Sequence, residues 1–243
     1  MFEKFESFRN RVLGTHREGV VDQNELVDNV ERRQANYHLT GRLVSGVMGE
    51  TYVGDFGVGD AVGLPVLGSM PEFSRGHIIS IDNNPAKISE AHKNSKICRL
   101  EKKGKLRFIK GDLRGLPLPS DIFDAVVAVG LFDGGLEGGR TAAAAILKEA
   151  HRTLKPGGHL VITAEGIRAE KLRRALDWFQ ADRKRYVTSS EIDTDAKKLF
   201  RRRDWYVYES PLDQIVGEEV FRRFKPAPSF GDHPVHVTGV FIK

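Results

Sequence analysis

From residue 51 onward, the sequence alternates between short apolar segments typical of β-strands and stretches with the apolar spacing of helices. This alternation predicts strands over 51–56, 77–82, 106–111, 123–130 and 159–163. The second, fourth and fifth are nearly continuous apolar runs, as expected of parallel strands covered by helices on both faces. Because crossovers between parallel strands are right-handed, the series predicts an open, doubly wound α/β sheet.

The remaining segments complete the predicted sheet and its helices. Two later strands are predicted over 205–209 and 235–243. Helices are predicted from Pro85 onward, over 140–154 and over 167–181. The run Lys155-Pro156-Gly157-Gly158 predicts a helix end followed by a turn.

The first 48 residues contain no proline and predict a helical segment of their own, with a second helix around Tyr37 and Leu43. We therefore expect an N-terminal helical cap or lid over 1–48 and a main domain over 49–243.

Composition limits the classes of protein. No apolar run approaches the roughly 20 residues of a membrane helix, and the start has no apolar signal segment, so a cytoplasmic protein is expected. The single cysteine, Cys98, excludes an internal disulfide and a Cys-based zinc cluster, and no metal site is expected. The net charge is +5, and residues 168–203 carry twelve Lys or Arg against six Asp or Glu. That segment favours either a solvated helix face or a partner that is acidic, such as nucleic acid.

A glycine turn follows the first strand in the stretch YVGDFGVGDAVG. Gly57 and Gly59 suit the first two positions of the dinucleotide-binding pattern, but Val62 occupies the third. Asp55 and Asp60 flank the turn, whereas a diphosphate favours bare N–H groups. Although Asp60 is also a plausible helix N-cap, two carboxylates at this turn favour a ligand with positive charge.

The next two strands also end in carboxylates, at Asp82 and Asp112. Either one alone suits a turn. Together with Asp55, they predict an anionic cradle at the carboxyl ends of neighbouring strands, where such sheets bind ligands. A nucleoside that carries a cation fits this set.

Five motifs then resemble those of the class I S-adenosylmethionine-dependent methyltransferases, in particular the ubiquinone/menaquinone-biosynthesis-type branch. The motifs are DFGVGDA, ISIDNNPAKISEA, the Leu-Pro and Phe-Asp signatures in GDLRGLPLPSDIFDAVVAVGLF, and ILKEAHRTLKPGGHLVIT. Ala61 replaces the last glycine of the first motif. The resemblance covers about residues 50–165 and implies a Rossmann-like seven-stranded sheet, mostly parallel, with an antiparallel last strand inserted next to the fifth.

The resemblance also implies residue roles around S-adenosylmethionine. Its methionine part would lie near Asp55, Gly57 and Gly59. Asp82 would bind the ribose hydroxyls and Asn83 would pack near the adenine. The remaining contacts implied are Asp112 with the adenine amino group, Leu113 with the ring, and Val129 and Gly130 with the methyl-donor pocket.

The catalytic and acceptor groups are less defined. A general base is optional for methyl transfer, and the candidates are Asp133 and His236, although a surface position is also compatible with His236. Tyr37 and Phe132 are candidate contacts of the acceptor, and Tyr37 suits core packing equally well.

Three functions remain open at this point. The first is methyl transfer to a small molecule, with the N-terminal helices as a lid. The second is methylation of RNA or another nucleic acid through the basic 168–203 segment. The third is a non-catalytic protein that binds S-adenosylmethionine.

Overall fold

The computed structural model describes residues 23–132, 136–165, 187–208, 224–226 and 236–243. Within them, eight strands form one sheet in the order β3-β2-β1-β4-β5-β8-β6-β7. Their bounds are β1 Thr51–Phe56, β2 Gly76–Asp82, β3 Leu106–Lys110, β4 Phe123–Ala128, β5 Leu154–Glu165, β6 Arg202–Tyr208, β7 Phe224–Pro226 and β8 His236–Ile242.

Strands β1 to β5 pair in parallel, and β8 is antiparallel to both β5 and β6. The predicted doubly wound sheet, with its last strand inserted beside the fifth, is therefore confirmed. The three-residue β7 extends the sheet beyond the seven predicted strands and pairs with β6. The prolines around it predict a loop, but in the described sheet β7 is an edge strand, a place where proline occurs in sheets.

Six α-helices flank this sheet in the described residues. They are α1 Gln23–Leu43, α2 Leu64–Ser69, α3 Pro85–Ala91, α4 Ser95–Lys102, α5 Gly139–Thr153 and α6 Ser189–Ala196. The start of α3 at Pro85 is as predicted, and the Asn84 side chain caps it by accepting from Ala86 N at 3.0 Å. The predicted helix over 167–181 lies outside the described residues.

The passage from α5 to β5 differs from its prediction. The Lys155–Gly158 run does not form a separate turn, because β5 begins directly at Leu154. The run instead fills an irregular part of the strand: Phe123 pairs with Leu154, whereas Ala125 pairs with His159.

Two apolar layers cover the faces of the sheet. One face packs α5 and α6 against residues such as Phe56 and Phe123, and the other packs α1, α2 and α4 against residues such as Val53 and Val127. Each large side chain buried this way contributes roughly 1.5–3 kcal/mol.

Helix α1 runs without a break from Gln23 to Leu43, where the sequence predicted two helices. Its Tyr37 and Leu39, together with Val44 just after it, are buried in the second layer. This part of the N-terminal segment is thus built into the core. None of the helices seen in the described residues is both long and apolar enough to cross a membrane.

Candidate functional site

The glycine turn after β1 requires left-handed backbone at several positions. Gly57 has φ +89° and Gly59 φ +54°, in the region that glycine adopts readily. Gly57 N donates to the Ile81 carbonyl at 2.8 Å, which holds the turn against the end of β2. Ala61 also has φ +58°, at a cost on the order of 1–2 kcal/mol for a residue with a Cβ. This explains why a glycine suits that position of the motif better.

Asp82 links the end of β2 to this turn. One carboxylate oxygen accepts from Val58 N at 2.9 Å, and the other accepts from Asn84 N at 2.7 Å. Each carboxylate oxygen has two lone-pair directions. Asp82 can therefore hold the turn and still accept hydroxyl groups from a ligand.

Asp112 follows β3 and is paired with Arg114. The Arg114 guanidinium donates to both carboxylate oxygens at 2.7–3.0 Å, and its backbone N–H donates to one of them. These hydrogen bonds lower the pKa of Asp112 to about 2. The Asp112 carboxylate is consequently ionised at neutral pH.

Asp82 and Asp112 face one cleft of about 330 Å³ at the carboxyl ends of the strands. The cleft is lined by six residues implied by the sequence, namely Gly57, Asp82, Asn83, Asp112, Leu113 and Gly130. The lining that sequence reasoning missed is Arg114, Leu131, Leu136, Glu137, Ala142 and Ile146. Most of these belong to α5 or to the segment before it, and the sequence carries no signal for how that helix is placed over β4.

Asp55 does not line this cleft, so the predicted cradle of three carboxylates contains two. Its side chain is fully buried and accepts hydrogen bonds from the Tyr37 and Ser80 hydroxyls, the former at 2.6 Å. Asp55 and Ser80 are paired neighbours on β1 and β2 and face α1. The carboxylate therefore lies beneath the glycine turn, on the side of the sheet that α1 covers.

Burial raises the pKa of Asp55 to about 6, although the hydrogen bonds from Ser80 and Tyr37 oppose the shift. Burial also raises the pKa of Tyr37 well above its usual value, and the Asp55 charge adds to the effect. At neutral pH the pair is therefore a neutral phenol that donates to a largely ionised carboxylate.

Helix α1 also contacts the glycine turn through Arg33. Arg33 forms an ion pair with Asp60. Asp60 does not cap α2, because the N-cap position is occupied by Gly63. The Arg33 guanidinium lies beside Gly130, where an added Cβ would come within 3.8 Å of it. Gly130 itself has φ +76° and donates its N–H to Thr163 Oγ1 at 2.8 Å.

The other predicted site residues are placed as follows. Gly59 and Val129 do not line the cleft, although their sequence neighbours Gly57 and Gly130 do. Phe132 is 1% exposed and belongs to the core on the α5 face. Asp133 lies outside the described residues, and His236 is paired with Glu165 in the β5–β8 ladder, with its side chain also outside them.

The comparisons with known proteins agree with this geometry. Residues 54–162 match the model of a family described as a methyltransferase domain. This segment of the chain is therefore similar to a methyltransferase domain. The matched residues span β1 to β5 and include the glycine turn, Asp82 and Asp112.

One relative with a similar sequence matches this chain over a small part of its own length. A sterol 24-C-methyltransferase from Pneumocystis carinii (strain B80) is 35% identical over 106 residues, which are 42% of this chain and 25% of that protein. The chain thus spans about a quarter of the length of this relative.

Two solved structures share the fold. The N-methyltransferase NodS from Bradyrhizobium japonicum, in complex with S-adenosyl-L-homocysteine, has a TM-score of 0.54 and 15% identity, covering 88% of this chain and 87% of its own. A possible histamine N-methyltransferase from Thermotoga maritima has a TM-score of 0.51 and 18% identity, covering 91% and 95%. At these identities the likeness concerns the fold alone.

Proposed function

We propose that the protein transfers a methyl group from S-adenosylmethionine to a small-molecule acceptor by in-line displacement. The observation that most supports this is the anionic cleft formed where the glycine turn, Asp82 and Asp112 meet. The cofactor supplies a methyl group already activated on a sulfonium. The protein's part is then mainly alignment, which is worth up to about 7–11 kcal/mol in ideal cases.

In this proposal the ends of β2 and β3 bind the nucleoside. Asp82 accepts hydrogen bonds from the two ribose hydroxyls, through the lone pairs that the Val58 and Asn84 N–H groups leave free. Asn83 and Leu113, which line the same cleft, flank the adenine. Asp112 accepts a hydrogen bond from the adenine amino group. This contact requires the Arg114 guanidinium to share the Asp112 carboxylate or to move away from it.

The glycine turn and the end of β4 would hold the methionine part. Gly57 and Gly59 let the backbone approach the ligand closely, because neither carries a Cβ. Asp55 would act through its charge from beneath the turn. Gly130 and Val129 would bound the methyl-donor end, beside Arg33 of α1.

The acceptor would enter on the α1 side, and residues 1–48 would act as its lid. Tyr37 and Phe132 are both buried, so their proposed acceptor contacts require a movement of α1 or of the segment after β4. We also propose the ubiquinone/menaquinone-biosynthesis-type branch, on the spacing of the five motifs. The name of the sterol relative refers to transfer to carbon. A carbon acceptor would need little help from a general base such as Asp133 or His236.

Calorimetry with S-adenosylmethionine tests the cofactor assignment. Asp82→Asn keeps the size of the side chain but removes its charge. The affinity should fall about tenfold or more, because hydrogen bonds to a charged group contribute about 1.5–3 kcal/mol. Asp204→Asn, at a surface carboxylate paired with Arg202, is the matched control and should bind as the wild type does. Equal affinity of Asp82→Asn and wild type would contradict the ribose assignment.

A labelling experiment tests the acceptor class. The protein is incubated with methyl-tritiated S-adenosylmethionine and cell extract, and the label is followed in the low-molecular-weight and RNA fractions. Label in the low-molecular-weight fraction, insensitive to ribonuclease, is the expected result. Label in RNA would favour the basic segment, of which the described Arg202 and Arg203 already lie close to acidic side chains. Cofactor binding with no label transferred would favour a non-catalytic role.

A further inference from the structure

A second cleft lies on the opposite side of the sheet from the candidate cofactor site. It has a volume of about 530 Å³ and lies between α1, α2 and α4. Its lining is Gln34, Val62, Pro65, Val66, Gly68, Ser69, Asn94, Lys96, Arg99, Leu100 and Lys103. None of these residues lines the first cleft.

The floor of this cleft is set by close packing of two helices. At Gly68 of α2 an added Cβ would lie 2.6 Å from Leu100 Cδ1, so the helices come together at this point. Beside it, Val62, Pro65 and Val66 are half-buried and form an apolar wall. The cleft therefore offers apolar surface at its base, as sites for small organic ligands do.

The rim of the cleft is cationic. Lys96, Arg99 and Lys103 are spaced three and four residues apart, which places them on one side of α4 and its end. All three are exposed, and none forms an ion pair with another described residue. The lining given above contains no Asp or Glu to neutralise them.

We propose that this cleft binds an organic phosphate with an apolar part, at a site separate from that of methyl transfer. A phosphate monoester carries a charge of about −1.5 to −2 at neutral pH. One arginine can pair with it through two parallel hydrogen bonds while lysines contribute point charges. The apolar part of the ligand would lie against Val62, Pro65 and Val66.

The lining favours such a ligand over a nucleic-acid strand. Proteins that bind single strands combine a long charged groove with aromatic side chains on which bases stack. The cations here are confined to one helical face, and the lining contains no Phe, Tyr or Trp. Nothing in this proposal depends on the identity of the methyl acceptor.

Calorimetry with dodecyl phosphate, kept below its micelle concentration, tests the proposal. We expect the wild type to bind dodecyl phosphate and to bind inorganic phosphate more weakly. It should not bind dodecyltrimethylammonium, which has the same alkyl chain but a cationic head group. Arg99→Gln should weaken binding about tenfold or more, as expected for the loss of hydrogen bonds to a charged group. Lys102→Gln is the matched control, because Lys102 is exposed on the same helix but does not line the cleft; it should bind within about twofold of the wild type on the same argument.

A further experiment identifies the source of the phosphate group. Sedimentation with phosphatidylcholine vesicles containing phosphatidic acid distinguishes a lipid headgroup from a soluble phosphate. Absence of dodecyl phosphate binding, or equal weakening by Arg99→Gln and Lys102→Gln, would overturn the proposal. So would tighter, Arg99-dependent binding of a single-stranded RNA. S-adenosylmethionine is titrated separately into the wild type, so the two proposals fail independently.

Discussion

At the scale of single residues, Asp55 combines full burial with a charge at neutral pH. Its pKa of about 6 is above the ordinary aspartate value of 3.8. The folded state therefore binds the proton more tightly than the unfolded state does. The contribution of this group to stability is complete below about pH 4 and is lost as the pH rises through about 6.

We expect wild type and Asp55→Asn to differ in their stability profiles over this window. As the pH rises from 4 to 7, the free energy of unfolding of the wild type should fall relative to that of Asp55→Asn. The fall should be on the order of 3 kcal/mol, which corresponds to a pKa shift of about two units. Urea denaturation at several pH values measures it. Parallel profiles for the two proteins would show that burial does not perturb Asp55.

The residue scale also shows where prediction from sequence reached its limit. Asp82 and Asp112 were predicted correctly to share a cleft, because both follow parallel strands that end at the same edge. Asp55 also ends a strand, but its side chain is oriented toward α1 by the register with Ser80 and by the Tyr37 hydroxyl. That partner is eighteen residues away in the chain, and no local pattern reports it.

At the scale of elements, the packing of α1 on the glycine turn depends on Gly63. An added Cβ at this position would lie 1.9 Å from the Tyr37 ring, well inside contact distance. Gly63→Ala must therefore displace Tyr37 and weaken its hydrogen bond to Asp55. We expect a loss of about 1–3 kcal/mol or more in unfolding free energy, as for other overpacked sites.

The control for this substitution is Gly115→Ala. Nothing lies within 4 Å of an added Cβ at Gly115, and its φ is not in the left-handed region. Its effect should stay within about 0.5 kcal/mol, as for ordinary surface changes. Chemical denaturation of both variants makes the comparison. A Gly63→Ala protein as stable as the control would mean that Tyr37 does not pack against the turn.

The elements themselves were largely predictable. Strands β1 to β5 carry the apolar runs of buried parallel strands, and the start of α3 is marked by Asn84 and Pro85. The short β7 was missed because three residues around a proline give no strand pattern, and among the described residues it pairs with β6 alone. The continuity of α1 was missed because its buried face is set by the sheet it packs on.

At the scale of the whole molecule, one hydrogen bond joins the two ends of the described chain. Thr238 of β8 donates from Oγ1 to Asn36 Oδ1 at 2.9 Å, and both residues are buried. Thr238→Val keeps the shape but removes the donor. We expect a loss of about 0.5–1.5 kcal/mol in unfolding free energy, the net contribution of a typical hydrogen bond.

Thr141→Val, at an exposed position of α5, is the control and should change the stability by less than about 0.5 kcal/mol. Equilibrium denaturation monitored by circular dichroism measures both. If the two valine variants proved equally stable, the hydrogen bond between Thr238 and Asn36 would contribute nothing to stability.

The placement of the seven predicted strands in the sheet was predictable because the alternation of elements and the family resemblance agree. The second cleft was not, because its cations lie on α4 and its apolar wall belongs to α2 and the loop before it, and the two are brought together only by packing at Gly68. Sequence reasoning thus located groups on the same sheet edge, but not groups on separate helices.

The anchors of α1 have a kinetic consequence. Arg33, Asn36 and Tyr37 lie within about one turn of a rigid rod, and each is fastened to a different part of the sheet or its loops. A rigid helix cannot break one of these contacts gradually while it keeps the other two. If α1 acts as the lid proposed above, it should leave the glycine turn in one concerted, single-exponential step. The entrance to the cleft would then alternate between closed and open without stable intermediate positions.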